Sequence, residues 1–353
     1  MTKLTRWTAA LLWLALLVVG WGVRPAAAQA LMNGAGATFP YPIYSKWFDE
    51  YAKVDPSARF NYQSIGSGGG IRQITSRTVD FGATDSPMSD DQLKNAPGEL
   101  LHIPTVLGAV VATYNLPGNP KLRFTPEILA DIFLGKLTKW NDAKLTAANP
   151  GVSLPDQPIL VVHRSDGSGT TYIWVDYLAK VSREWEQKVG RGTSVNWPVG
   201  LGGKGNEGVA GQIKNTPGAL GYVELAYAIK NNLPAASVKN LAGTFVEPTI
   251  ESTTAAAAGA AKDMPADFRV SLTNSPGERA YPIASFTWLL VYKDQPDEAK
   301  GKSLVKFLWW MAHEGQKYTA DLLYAPLPPQ VVKQIEAKLG EITFRGKPLL
   351  AAR

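Results

Sequence analysis

The side chains available for chemistry are few in kind. The 353-residue chain has no Cys, and its three His (His102, His163 and His313) are widely separated. Thiolate zinc sites, iron–sulfur clusters, disulfide frameworks and Cys nucleophiles are therefore excluded, and a His-built metal cluster finds no grouping. Serine chemistry is poorly signalled too. Ile65 and Asp166 stand where a nucleophile elbow needs its first Gly before Ser67 and Ser168. Pro296 replaces the Gly that Gly301-Lys302-Ser303 would need upstream, and His313-Glu314 has no second His four residues on. The strings Gly200-Gly202-Gly205 and Gly203-Gly205-Gly208 follow Trp197-Pro198 rather than a clear strand, which argues against a dinucleotide site.

What remains is three Gly-rich segments entering helices: GAGATFP at 34–40, SIGSGGG at 64–70 and HRSDGSGT at 163–170. Each offers backbone N–H groups and a Ser or Thr hydroxyl at a helix N-terminus, an arrangement suited to an anion. The plainer alternative is that Thr38, Ser67 and Ser168 are N-caps and the glycines are turns. Spacing alone leaves both open. Two charged residues bear on the choice. Arg164 ends an apolar run, where open α/β sheets bind ligands, and its planar fork suits a tetrahedral oxyanion; pairing with Asp166 is the alternative use. Asp85, in DFGATDSP at 80–87, repels an anion unless that anion brings a proton. Phosphate at neutral pH keeps such an O–H and sulfate does not. Asp85 can equally be a turn residue.

The elements that must carry these loops alternate strand and helix, which predicts an α/β fold. Ile43, Trp47, Tyr51 and Val54 recur at helical spacing, with Lys46, Asp49, Glu50 and Lys53 on the other side. Phe60–Ile65 is predicted as a strand, followed by a Gly-rich turn at 66–70 and a short helix through Thr78. Ile159–Val162 is a continuous apolar run bounded by Pro158 and Arg164, as a buried parallel strand would be, and a helix follows from Ser168 to Val181. Leu220–Val223 and Phe286–Tyr292 are further strands. Helices are expected around Leu304–His313 and Val331–Leu339, while the Ala-rich Thr253–Lys262 fits helix or loop.

Residues 1–30 have the features of an export signal. Lys3 and Arg6 precede the apolar Leu11–Val19, and Ala28-Gln29-Ala30 fits the small-residue cleavage rule. Gly20, Gly22, Arg24 and Pro25 cut the apolar run to roughly 17 residues, short of a membrane span. Without that segment, which holds Lys3, Arg6 and Arg24 and no acid, the formal charge falls from +6 to +3. No Lys/Arg cluster appears, so a nucleic-acid partner is not expected.

Taken together, GAGATFPYPIYSKW at 34–47, VDFGATDSPMS at 79–89, DIFLGKLTKWND at 131–142, RSDGSGTTYIW at 164–174, WPVGLGGKGNEGVA at 197–210 and DLLYAPLP at 321–328 closely resemble the periplasmic phosphate-binding proteins of Pst-type ABC phosphate importers. The resemblance implies a two-lobed periplasmic binding protein (type II-like) with mixed sheets flanked by helices and the ligand in the interdomain cleft. It implies lobe I at 31–108 plus 284–353 and lobe II at 109–283, with Val106–Tyr114 and 286–292 as the crossing strands. Phosphate contacts are implied for Ala37, Thr38, Phe39 (through its backbone N–H), Ser67, Asp85, Arg164, Ser168, Gly169 and Thr170, with Asp166 pairing Arg164. Gly68 departs from relatives that have a second Ser there. The implied protein is a periplasmic monomer with no cofactor and no catalytic residue; arsenate competes with phosphate, and the partners are membrane permease subunits with a cytoplasmic ATPase. The rival reading is a secreted phosphate-ester hydrolase using Ser168 or Ser67.

Overall fold

The computed structural model describes residues 30–350; the export-signal segment, apart from Ala30, lies outside the described residues. Eight strands form one curled sheet: β1 (Ala30–Gly36), β2 (Ala58–Ser64), β3 (Phe81–Thr84), β4 (Leu100–Tyr114), β5 (Leu160–Arg164), β6 (Leu201–Gly203), β7 (Ala219–Glu224) and β8 (Ala284–Tyr292), in the spatial order β2-β1-β3-β8-β4-β7-β5-β6. β1 pairs parallel with β2 and β3, and β5 pairs parallel with β6 and β7, so the sheet has two parallel ends. Between them lies β4, buried along its whole length. Leu100–Ala109 pairs with β8 and Val110–Tyr114 with β7, both antiparallel, so one strand serves both halves. β8 does not cross as expected: it pairs only with β3 and the first part of β4. The chain passes between the halves just before it, where the Val110 N–H donates to the Ile283 carbonyl.

The helices follow from the apolar spacing. α1 (Tyr41–Val54) buries Ile43, Tyr44, Trp47 and Tyr51, and Glu50 on its polar face takes both Lys46 and Lys53. Phe48, Phe60, Phe81 and Phe307 pack ring against ring beneath it. The other half has its own aromatic cluster of Phe133, Trp174, Trp197 and Tyr222. α2 begins at Ser67 and ends at Thr75, so Gly68, Gly69 and Gly70 are its first turns rather than a separate turn. The reason is crowding: a Cβ on Gly70 would come within 2.6 Å of the Ala83 carbonyl oxygen. α3 (Gly169–Val181) and α4 (Gly205–Asn215) follow β5 and β6, and α5 (Leu225–Lys230) follows β7. The Ala-rich stretch is helical, Ile250–Lys262, started by a Thr249/Ser252 capping box. Long helices at Glu298–Ala312 and Pro329–Gly340 close the chain. Among the described residues no helix is long and apolar enough to cross a membrane.

Candidate functional site

The C-terminal ends of the parallel strands carry the loops singled out above. β1 leads to Thr38–Phe39, β2 to Ser67, β3 to Asp85, β5 to Arg164 and Ser168–Thr170, and β6 to Asn206. Where the strand order reverses, these ends face one another across a crevice. The two sides meet closely. The Gly68 N–H donates to the Gly167 carbonyl at 2.8 Å, and a Cβ on Gly169 would lie 2.4 Å from Ser67 Oγ and 2.5 Å from Asp85 Oδ2. Gly66, at φ +85, makes the turn into α2, and a Cβ there would strike Asp166 Oδ2.

Of the three hydroxyls considered as N-caps, only Ser168 is one: its Oγ accepts the Thr171 N–H at 3.0 Å. The residues at the N-cap positions of α1 and α2 are Pro40 and Gly66, neither with a side-chain cap. Thr38 and Ser67 are thus released for other work. Thr38 Oγ1 accepts from Asn206 twice, from the backbone N at 3.2 Å and from Nδ2 at 2.8 Å. Thr170 Oγ1 accepts from Asn206 Nδ2 at 3.1 Å and Arg164 Nη1 at 3.3 Å. Ser67 Oγ accepts the Asp85 N–H at 3.1 Å. In each of the four hydroxyls a protein donor already occupies acceptor capacity, and a hydroxyl has one hydrogen to give. Ser67 directs its own hydrogen to Asp85 Oδ2 at 3.4 Å, which leaves those of Thr38, Ser168 and Thr170 to donate.

Backbone groups extend it. The N–H groups of Phe39, Gly169 and Thr170 find no acceptor among the described residues. The Tyr227 hydroxyl donates to the Thr38 carbonyl at 2.6 Å, which turns the trans-facing Phe39 N–H the opposite way. The Phe39 ring is packing, lying 6.3 Å from the Tyr324 ring and filling the space over Gly108. Ala37 braces the loop instead: its N–H goes to the Ala83 carbonyl and its carbonyl takes the Tyr62 hydroxyl.

The formal charges are nearly balanced. Arg164 is buried and forks onto Asp166, Nε to Oδ1 at 2.7 Å and Nη2 to Oδ2 at 2.5 Å. Burial pushes the Asp166 carboxyl up, but the Arg164 hydrogen bonds and charge outweigh it and hold the group below its ordinary value. Asp85 behaves oppositely. It is 1% exposed, and burial pushes its carboxyl up to about 7, against the Thr287 hydrogen bond, the Arg164 charge and the Ser67 hydrogen bond. Thr287 Oγ1 donates to Asp85 Oδ1 at 2.8 Å from the point where β8 shifts register against β4, a bulge that re-aims the side chain. The arrangement is a cage of donors with one carboxylate acceptor. No cluster of metal-ligating side chains occurs among the described residues.

A PBP superfamily domain model matches residues 23–314. The phosphate-binding protein PstS of Xylella fastidiosa (strain 9a5c) is 50% identical over 310 residues, covering 87% of this chain and 84% of that protein. The chain belongs to the PBP superfamily and, within it, to the PstS family of phosphate-binding proteins. The phosphate-binding protein PstS of Haemophilus influenzae is 46% identical over 321 residues, covering 90% of this chain and 95% of the relative. Among solved structures, a high affinity periplasmic phosphate-binding protein bound with phosphate matches with a TM-score of 0.71 at 20% identity, over 90% of this chain and 96% of that one. That likeness shows the two-lobed periplasmic binding protein fold.

The resemblance implied contacts from Ala37, Thr38, Phe39, Ser67, Asp85, Arg164, Ser168, Gly169 and Thr170; the fold brings these segments to the crevice, with Ala37 using both its N–H and its carbonyl inside the protein. Sequence reasoning missed Asn206, Thr287, Tyr227 and Tyr324. Asn206 sits inside the glycine string that was set aside for lack of a strand. A short strand, Leu201–Gly203, does lie within that string, and α4 starts directly after it.

Proposed function

We propose that this protein is an extracytoplasmic solute-binding protein that captures inorganic phosphate and delivers it to an ABC importer for phosphate uptake. The observation that carries the reading is the donor cage with a single buried acceptor. Thr38, Ser168 and Thr170 have hydrogens to give, Ser67 can turn to the ligand the one it holds toward Asp85, and the Phe39, Gly169 and Thr170 amides add three more. A ligand that is mostly acceptor with one O–H left matches it; that O–H goes to Asp85. Sulfate offers no hydrogen and would set a second anion against Asp85. Arsenate carries the same proton and competes. The pairing of Arg164 with Asp166 keeps the site's net charge low, so hydrogen-bond matching sets selectivity.

Binding would take place between lobe I (31–108 plus 284–353) and lobe II (109–283), with closure drawing Thr38 onto Asn206 and Ser67 onto Gly169. The charged, apolar and small-residue order of residues 1–30 supports export to the periplasm with cleavage near Ala28–Ala30. There the protein would act as a monomer and hand phosphate to membrane permease subunits served by a cytoplasmic ATPase. The hydrolase reading finds no support. His102 Nε2 accepts the Met88 N–H, His163 Nδ1 bonds the Arg164 carbonyl and His313 bonds Glu336, so none serves Ser67 or Ser168 as a base.

Titration calorimetry of the exported form with phosphate, arsenate and sulfate tests the assignment. Phosphate and arsenate are expected to bind one per chain and sulfate to be rejected by roughly 10⁴-fold, because a missing ligand proton leaves buried polar groups unpaired. Equal affinity for phosphate and sulfate overturns it.

A further inference from the structure

Glu224 ends β7 and is wholly buried behind the crevice. Its Oε2 accepts the Ala226 N–H at 2.9 Å and lies 3.3 Å from the Tyr324 hydroxyl oxygen, while its Oε1 has no partner among the described residues. The Tyr324 hydroxyl also lies 2.6 Å from the Phe39 carbonyl oxygen. A carbonyl can only accept, so this shorter bond takes the single hydrogen that tyrosine owns. The contact with Glu224 is then a hydrogen bond only if Glu224 supplies the hydrogen. An ionised carboxylate would instead present charge to a hydroxyl lone pair and leave its other oxygen bare in the interior, an arrangement that burial penalises strongly.

We infer that Glu224 is a protonated positioning residue: its carboxylic acid donates to Tyr324, which in turn holds the Phe39 carbonyl and fixes the Thr38–Phe39 loop. This deepens the proposed function and rests on it for the role of that loop. Phe39 is thereby held from two directions, the peptide before it by Tyr227 through the Thr38 carbonyl and the peptide after it by Tyr324.

The groups that face Glu224 favour the neutral form. Asp85 approaches from the end of β3, and Tyr227 stands on α5 with Glu207 of α4 at its hydroxyl. Asn206 supplies only its amide oxygen, to the Glu224 N–H. Arg164 acts on Tyr227 and Asp85, and Lys230, a cation acting on Glu224, is exposed. Burial, the largest influence, pushes the carboxyl well above its ordinary range, outweighing the Ala226 N–H, the Tyr324 contact and the Lys230 charge. Asp85 adds in the same direction.

The test is infrared spectroscopy of the whole exported protein at neutral pH, with Asp85→Asn used to remove the other buried carboxyl that burial pushes up. A protonated-carboxyl C=O band is expected in Asp85→Asn, and it is lost when Glu224→Gln is added to Asp85→Asn. Amide exchange of the peptide spanning residues 37–44 supplies the positioning readout. Tyr324→Phe is expected to speed it about two- to tenfold, the worth of one ordinary hydrogen bond. Glu224→Gln, whose amide can still donate to Tyr324, keeps most of the protection and loses the rise in exchange that wild type shows when alkali removes the proton. The absence of the band from Asp85→Asn, or its survival when Glu224→Gln is added to Asp85→Asn, overturns the inference, as does exchange in Glu224→Gln as fast as in Tyr324→Phe. Failure of the wild type to bind phosphate in calorimetry would instead refute the proposed function, while the band and the exchange rates still decide the state of Glu224.

Discussion

Replacing Asp85 by Asn removes a charge that the fold tolerates at a cost. The carboxyl is 1% exposed and titrates at about 7, whereas its ordinary value is 3.8. Because the folded value is the higher one, the carboxyl's favourable contribution is fully present below about pH 3.8 and is lost as pH rises through about 7. The difference between 3.8 and about 7, at 1.36 kcal/mol per unit, corresponds to about 4 kcal/mol. Asn can keep the acceptor that Thr287 uses at 2.8 Å and can turn its amide hydrogens toward Ser67. Asp85→Asn should therefore match wild type near pH 4 and exceed it by a growing margin, to about 4 kcal/mol, above pH 7. Denaturant unfolding of the phosphate-free protein at several pH values reads this directly. A stability difference that is constant with pH would refute the reasoning, since it would mean that Asp85 titrates alike in folded and unfolded chains. The same variant loses the acceptor for the ligand proton, so phosphate affinity should fall by no more than roughly tenfold while sulfate binding rises.

Arg164→Ala takes away the guanidinium but leaves the hydroxyls and amides, and phosphate affinity measured by calorimetry should drop about ten- to a hundredfold rather than vanish. Gly169→Ala places a methyl 2.5 Å from Asp85 Oδ2 and 2.7 Å from Asp85 Cβ; circular dichroism should show an intact fold and calorimetry no measurable phosphate binding. Below about pH 7 Asp85 gains a proton of its own and can donate to an anion, so sulfate rejection should weaken on acidification in wild type and stay flat in Asp85→Asn. Thr287→Val deletes a bond that favours the ionised carboxylate, which should move this sulfate transition to higher pH, a shift that competition titrations would detect.

Local signals in the chain were legible and distant ones were not. Arg164 and Asp166 are two residues apart, and their bidentate pair could be expected from spacing alone. The apolar run ending at Arg164 marked a parallel strand, and Ser168 capped the helix after it as its type suggests. The glycines at 68–70 misled, because glycine reads as turn while here Gly70 admits the β1 and β3 backbones, and Gly68 the Gly167 backbone, against the first turns of a helix. Thr38 misled in another way: Pro40 occupies the N-cap position, and the hydroxyl turns to Asn206. The unforeseen partners come from far along the chain, Asn206 at 168 residues from Thr38, Thr287 at 202 from Asp85 and Tyr324 at 285 from Phe39. Such pairings depend on the order of strands in the sheet, which no local pattern specifies. Only resemblance over the whole length could have indicated them.

Under the proposed function, the insertion of an antiparallel strand is what would let this crevice distinguish anions by proton content. Apart from Asp85 at the end of β3, the parallel strands deliver loops and helix N-termini that are donors, and a site made of those alone would accept phosphate and sulfate alike. β8 enters antiparallel between β3 and β4, and its register shift turns Thr287 toward Asp85. That hydroxyl gives the carboxylate a donor from behind, which lets an acceptor survive among donors with its other oxygen toward the crevice. The neutralised Arg164–Asp166 pair then keeps the cation from overwhelming that acceptor's effect. Charge attraction would favour the more highly charged anion; a nearly balanced cage with one acceptor favours the one that still holds a hydrogen. The proposed selectivity would thus follow from where a single strand reverses direction, and shifting Thr287 off that bulge should weaken it even with every ligand-facing group in place.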